Sequence, residues 1–239
     1  MRSIVLLIAA AFFAACSQSA GPFAVNEKPP TARNPDADAF VKRMKETGPN
    51  NLMQAALKTL SADFTDFNRN DAVLKQSMTF VGALSRYENG DSSALEEFGG
   101  VQAYKEKCAA WLNDEEQSIR AYAAVMLGLA GDKNYAPQLA EMLKERKYRE
   151  RDKMHYDRGR AAIALGMIGA EEYKKELSAL LKSAEYHDRQ GGALALGLLK
   201  AKEFAPDVAR LQDDSQQVVR ADAVEALKMM GAENLIKKK

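Results

Sequence analysis

The chain has 239 residues, with 34 Lys plus Arg against 33 Asp plus Glu and a formal net charge of +1. A balance this close to neutral supplies no overall field toward nucleic acid, and no nucleic-acid partner is expected. Two histidines and two cysteines leave no His-rich or paired-Cys metal site, so neither a metal nor a cofactor is expected.

The N-terminus reads as an address. Met1–Ala15 carries one charge, Arg2, and then a small and apolar run from Ile4 to Ala15. The 12 residues of this run are too few to span a bilayer, which needs about 20, but they suit a signal-peptide core. The run closes on Phe13-Ala14-Ala15-Cys16, which resembles a bacterial lipobox, with Phe13 standing where Leu is preferred. The resemblance implies cleavage before Cys16 and a diacylglycerol on its thiol. An ordinary secretory signal cut near Ser19 is the alternative. Residues 16–35, with Pro22, Pro29, Pro30 and Pro35, form a lipidated Cys and a flexible tether. Ser17 in place of Asp after the Cys favours the outer membrane under the usual enterobacterial sorting rule. Loss of residues 1–15 removes Arg2 and leaves 33 charges of each sign. Acylation of Cys16 leaves Cys108 alone, with no intramolecular disulfide; it is expected as a buried apolar thiol.

Residues 36–100 are expected to form an N-terminal helical cap. Asp36–Glu46 and Asn51–Leu60 have amphipathic spacing, and Ala72–Arg86 reads as a divergent repeat helix. Val101–Leu112 follows as a second helix, with Tyr104, Cys108, Trp111 and Leu112 on its apolar positions.

From there the chain repeats. Arg120/Leu127, Arg158/Leu165, Arg189/Leu196 and Arg220/Leu227 each stand seven residues apart, and successive arginines are 38, 31 and 31 residues apart. Tyr135, Tyr173, Phe204 and Leu235 follow each Leu by eight residues. Each unit is therefore expected to hold two helices of roughly ten to thirteen residues. Gly128, Gly166 and Gly197 fall inside the first helices, where Gly costs about 1 kcal/mol against Ala; a crossing neighbour helix would explain them. Gly131, Gly169 and Gly231 stand at helix ends, and Pro137 and Pro206 near the starts of second helices.

The runs Ile119-Arg120, Ala123-Ala124, Leu127-Gly128 and Arg158 through Gly169 resemble HEAT-like repeats of the short form first noted in phycobilisome lyases. Over residues 101–239 the resemblance implies an all-α, right-handed α-solenoid of stacked helix pairs. It does not specify an activity, since one fold hosts many functions.

Chemistry is sparse. There is no Gly-rich phosphate loop, nucleophile elbow or Ser-x-x-Lys motif. The pairs Glu96-Glu97, Glu115-Glu116, Glu171-Glu172 and Asp213-Asp214 sit near expected helix starts, where the helix dipole favours carboxylates. Asp157 and Asp188 are placed to cap helices. The four repeat arginines are expected to tie each repeat to its neighbour. Two features break the register. One is a seven-residue insertion within Lys144–Arg160, whose Arg146, Lys147, Arg149 and Arg151 are candidates for an anionic partner. The other is a His-Tyr-Asp variant at two junctions, with His155, Tyr156, Tyr186 and His187 as candidate partner-binding residues.

The expected protein is a membrane-anchored bacterial lipoprotein, not an enzyme. It would serve as an interaction scaffold or adaptor for another protein of the cell envelope. A lyase-like enzyme subunit and a surface-exposed ligand-binding lipoprotein are the alternatives.

Overall fold

The computed structural model describes residues 34–46, 79–80, 82–84, 86–91, 93–144 and 156–237. The signal segment, Cys16, the tether up to residue 33 and Asn51–Leu60 lie outside them, as do Arg146, Lys147, Arg149, Arg151 and His155. Residues 33–239 form one compact unit. Among the described residues there is no strand, and the fold is an all-α solenoid of stacked helix pairs.

The helices are α1 (Pro35–Glu46), α2 (Gly100–Trp111), α3 (Gln117–Ala130), α4 (Ala136–Glu141), α5 (Asp157–Met167), α6 (Lys174–Leu180), α7 (Tyr186–Leu198), α8 (Ala205–Arg210) and α9 (Gln217–Met230). The first helices of the repeats are α3, α5, α7 and α9, and each packs on the next. The second helices α4, α6 and α8 have only six, seven and six residues, fewer than expected. In each repeat a three-residue 3-10 turn precedes the second helix and ends on the aromatic position, Tyr135, Tyr173 or Phe204. Pro137 and Pro206 then occupy the first turn of α4 and α8, where a missing N–H is harmless.

The helical glycines mark where the first helices cross. A Cβ on Gly128 would stand 2.9 Å from Ala164 Cα, one on Gly166 2.8 Å from Ala195 Cα, and one on Gly197 2.9 Å from Ala226 Cα. The same contact recurs at three successive junctions and fixes how closely neighbouring repeats approach. Val125, Ile163 and Leu194, three residues before these glycines, are all buried. In α9 the matching positions are Glu225 and Lys228, both exposed and joined as an ion pair at 3.3 Å. The outer face of the last first-helix is thus polar, as a terminal repeat requires.

The N-terminal end is closed differently. The Asn34 side chain accepts from the N–H groups of Asp36 and Ala37 and so caps α1. Ala37 and Phe40 of α1 are buried. Phe40 meets Phe80 edge-on at 5.7 Å, and Phe80 stacks on Tyr104 of α2 at 3.6 Å. Arg43 donates to the Ala130 carbonyl at the C-terminus of α3, where a cation also meets the negative end of the helix dipole. Lys105 of α2 is buried between Asp132, at 2.7 Å, and Asp36, at 3.6 Å. Cys108 is buried, and desolvation pushes its thiol up to about 12, so it packs as a core residue.

Candidate functional site

The repeat arginines form a ladder along the N-terminal ends of the first helices. Arg120 Nε donates to Asp157 Oδ2 at 2.7 Å, Arg158 Nε to Asp188 Oδ2 at 2.8 Å, and Arg189 Nε to Asp214 Oδ2 at 2.6 Å. Each rung crosses from one repeat to the next. Arginines also hold their own turns. The NH1 group of Arg120 donates to the carbonyls of Asp114 and Glu115, that of Arg189 to Ser183 and Ala184, and that of Arg220 to Asp214 and Ser215. The matching loop for Arg158 lies outside the described residues.

The aspartates behave differently from their expected role as caps. Asp157 and Asp188 lie inside the first turns of α5 and α7, whose N-cap residues are Tyr156 and Glu185. Both carboxylates accept instead from the arginine of the preceding repeat, since a charge-assisted bond to a guanidinium is stronger than a neutral cap. In the last repeat Val219 fills the Asp position, and Asp214 from the loop supplies the rung. Asp214, expected as a dipole-facing carboxylate, is therefore a ladder residue. The Arg189 guanidinium bonded to it holds its carboxyl below the usual carboxylate range.

The four leucines Leu127, Leu165, Leu196 and Leu227 are fully buried beneath the ladder. Seven residues are close to two helical turns, so each arginine at a helix start and the leucine in the core below it share one face.

The His-Tyr-Asp variant lies mostly inside. Tyr156 is 6% exposed and His187 4%, so neither offers the contact surface expected of it. Tyr186 is half-buried and lies 3.9 Å from the His187 ring, and Tyr156 meets that ring edge-on at 5.8 Å. Stacking of successive repeats buries what a single junction would expose. Neither ring nitrogen of His187 makes a well-formed hydrogen bond. Burial, and then the nearby Arg160 charge, push its pKa down to about 4, so the imidazole is neutral near pH 7. Gln190 stands three residues after His187 on α7 and donates to Asp222 across the following junction at 2.6 Å. Sequence reasoning missed this inner polar cluster, because Arg160, Gln190 and Asp222 occupy unrelated residue types at repeat positions with no common motif.

Among the described residues no helix is long and apolar enough to cross a membrane, and no group of three His, Cys, Asp or Glu could hold a metal ion.

A family model described as HEAT repeats matches residues 146–228. Over these residues the chain carries HEAT repeats. Its repeats were expected over residues 101–239, and the family match covers the second to fourth arginine units. No curated protein matches the chain. Among solved structures it is similar to the complex of CpcE and CpcF of phycocyanin lyase from Nostoc sp. PCC7120. That match has 16% identity and a TM-score of 0.45, and covers 91% of this chain and 71% of the other. The expectation of a chain that is not an enzyme is withdrawn: one similar solved structure is that of a phycocyanin lyase complex, and that likeness assigns no activity to this chain.

Proposed function

We propose that this chain is a lipid-anchored HEAT-repeat protein of the bacterial envelope that binds another protein along its repeat surface. The stacked repeats carry this reading, because a solenoid presents an extended surface built from successive equivalent loops. The Phe13-Ala14-Ala15-Cys16 run supports the anchor, and Ser17 supports an outer-membrane destination. The basic residues Arg146, Lys147, Arg149 and Arg151 are the candidate contact for an acidic partner, on sequence alone.

Metabolic lipid labelling tests the anchor: wild type should take up label and Cys16→Ser should not, and equal labelling removes it. Cross-linking in intact cells followed by mass spectrometry tests the binding. Replacing the four basic residues with Gln should weaken capture at low salt. Protease shaving of whole cells separates a periplasmic face from surface display.

A lyase-like enzyme subunit is the second reading. It draws on His187, a neutral buried imidazole beside Tyr156 and Tyr186 whose two nitrogens lack well-formed hydrogen bonds; buried polar atoms left so are uncommon outside functional or strained sites. A His155→Ala/His187→Ala variant that folds and keeps the wild-type phenotype removes this reading.

A further inference from the structure

We propose that Arg220, the last arginine of the ladder, is a docking point for an Asp or Glu in the first turn of a helix on a partner protein. The inference rests on the reading that this chain binds a protein, and it specifies where and through what chemistry.

The precedent is internal. In the three preceding repeats the guanidinium points Nε at a carboxylate of the next repeat, at 2.6 to 2.8 Å. Two of those carboxylates, Asp157 and Asp188, come from the first turn of a helix. Arg220 is oriented in the same way, with NH1 fixed on the carbonyls of Asp214 and Ser215 at 2.7 and 3.0 Å. Among the described residues no carboxylate completes its rung, and its Nε and NH2 groups make no hydrogen bond. The side chain is half-buried. It is thus a guanidinium already ordered by its own loop, and a pre-organised donor fork loses less freedom when a carboxylate arrives.

The surroundings match that ligand. Val218 stands two residues before Arg220, at the repeat position of Tyr156 and His187. Those two are covered by neighbouring repeats, whereas Val218 is 41% exposed and is the one exposed large apolar side chain among the described residues. The local acids are absent or occupied. Gln216 stands where the preceding repeat has Glu185, and Val219 where it has Asp188. Asp213 pairs with Lys237, Asp214 with Arg189, and Glu225 with Lys228, and Asp222 accepts from Gln190 across the preceding junction at 2.6 Å. An incoming carboxylate therefore meets an apolar contact, neutral amides and one ordered cation.

The geometry also limits the partner's approach. Lys228 replaces the glycine that lets first helices cross, so a helix does not lie along α9 as a fifth repeat would. Arg220 is eight residues away, about 12 Å along the axis. The partner helix arrives end-on at the start of α9. The expected ligand is a carboxylate, because all three internal rungs end on an aspartate, and Arg189 shows the two-point form, Nε to Oδ2 of Asp214 at 2.6 Å and NH2 to Oδ1 at 2.8 Å.

Photo-cross-linking of the full chain in the cells that make it provides the test. A benzophenone amino acid is placed at Val218, and in a second strain at Gln138, which is exposed on α4. The expected result at 218 is a protein adduct whose linked peptide contains an Asp or Glu at a helix start. Arg220→Gln, and separately the partner's Asp→Asn or Glu→Gln, should each lower the yield about tenfold, as for a lost charged hydrogen bond. The partner-side change leaves this chain intact, so it decides the matter if Arg220→Gln fails to fold. Arg220→Glu combined with a Lys at the partner position should restore capture. An unchanged yield from the partner-side variant, an adduct to lipid alone, or no adduct at 218 overturns the proposal. Protein adducts at 138 without any at 218 overturn it while leaving the binding reading intact. No protein adduct at either site overturns both.

Discussion

Arg120 and Asp157 form an ion pair buried at both ends: their Nε and Oδ2 atoms lie 2.7 Å apart, with side-chain exposures of 7% and 2%. They are 37 residues apart in sequence and belong to different repeats. The pair therefore joins two repeats that short-range helix propensity cannot join.

Removing one partner should be costly. Asp157→Ala leaves the Arg120 guanidinium buried without its carboxylate, and such changes cost about 3–5 kcal/mol. The Arg86–Glu97 pair, with both side chains about half exposed, should contribute only about 0–1 kcal/mol. Urea unfolding of Asp157→Ala and Glu97→Ala compares them directly. Equal losses would mean that the ladder does not hold the repeats together.

Acid should weaken the fold in two separable steps. His187 has a folded pKa of about 4 against 6.5 for the ordinary group. The unfolded chain therefore takes up a proton first as pH falls, and stability is lost between about pH 6.5 and pH 4, on the order of 3 kcal/mol in full. Asp214, by contrast, has its carboxyl lowered by Arg189. Its contribution is present above the ordinary carboxylate range and disappears as pH falls through its lower folded value. His187→Gln should flatten the upper step only, and Asp214→Asn the lower step only, in urea titrations run at successive pH values.

Adding one methyl group should have opposite effects at two glycines. At Gly166 a Cβ would lie 2.8 Å from Ala195 Cα and 2.9 Å from Ala195 O, both backbone atoms. Overpacking of this kind costs about 1–3 kcal/mol, more than the helix propensity that Ala gains. At Gly82, also helical, a Cβ meets nothing within 4 Å among the described residues, so Gly82→Ala should raise stability by up to about 1 kcal/mol. Thermal melts of the two variants should shift in opposite directions.

Lys200 is the one non-glycine residue with positive φ among the described residues, at 51°, and it occupies the repeat position where Gly131, Gly169 and Gly231 have 67°, 71° and 66°. Lys200→Gly should relieve the side-chain strain of the left-handed region. The gain is about 0.5–1 kcal/mol after the added freedom of the unfolded chain is subtracted. A lower melting temperature would show that the Lys200 side chain makes a compensating contact.

The repeat was legible because its constraints are steric and periodic. Leu127 and its equivalents must be buried, and Gly128, Gly166 and Gly197 must admit a crossing helix; both demands leave the same residue type at a fixed spacing. The inter-repeat role of the arginines was legible for the same reason. Their acceptors were harder to read, because a carboxylate can reach a guanidinium from either the helix or the loop: Asp157 and Asp188 do the first, Asp214 the second. The burial of Tyr156 and His187 was not legible at all. Polar side chains flanking a helix start look like surface in one dimension, and only the stacking of the next repeat covers them.

The exchange of a glycine and an aliphatic residue for Lys228 and Glu225 also bears on self-assembly. A stack whose last face matched its internal junctions could pair with the same face of a second copy. The ion pair disfavours that contact by placing charge and bulk where close approach would otherwise occur. Glu225→Leu combined with Lys228→Gly should restore the internal surface at that end, and the variant's sedimentation coefficient should rise with protein concentration.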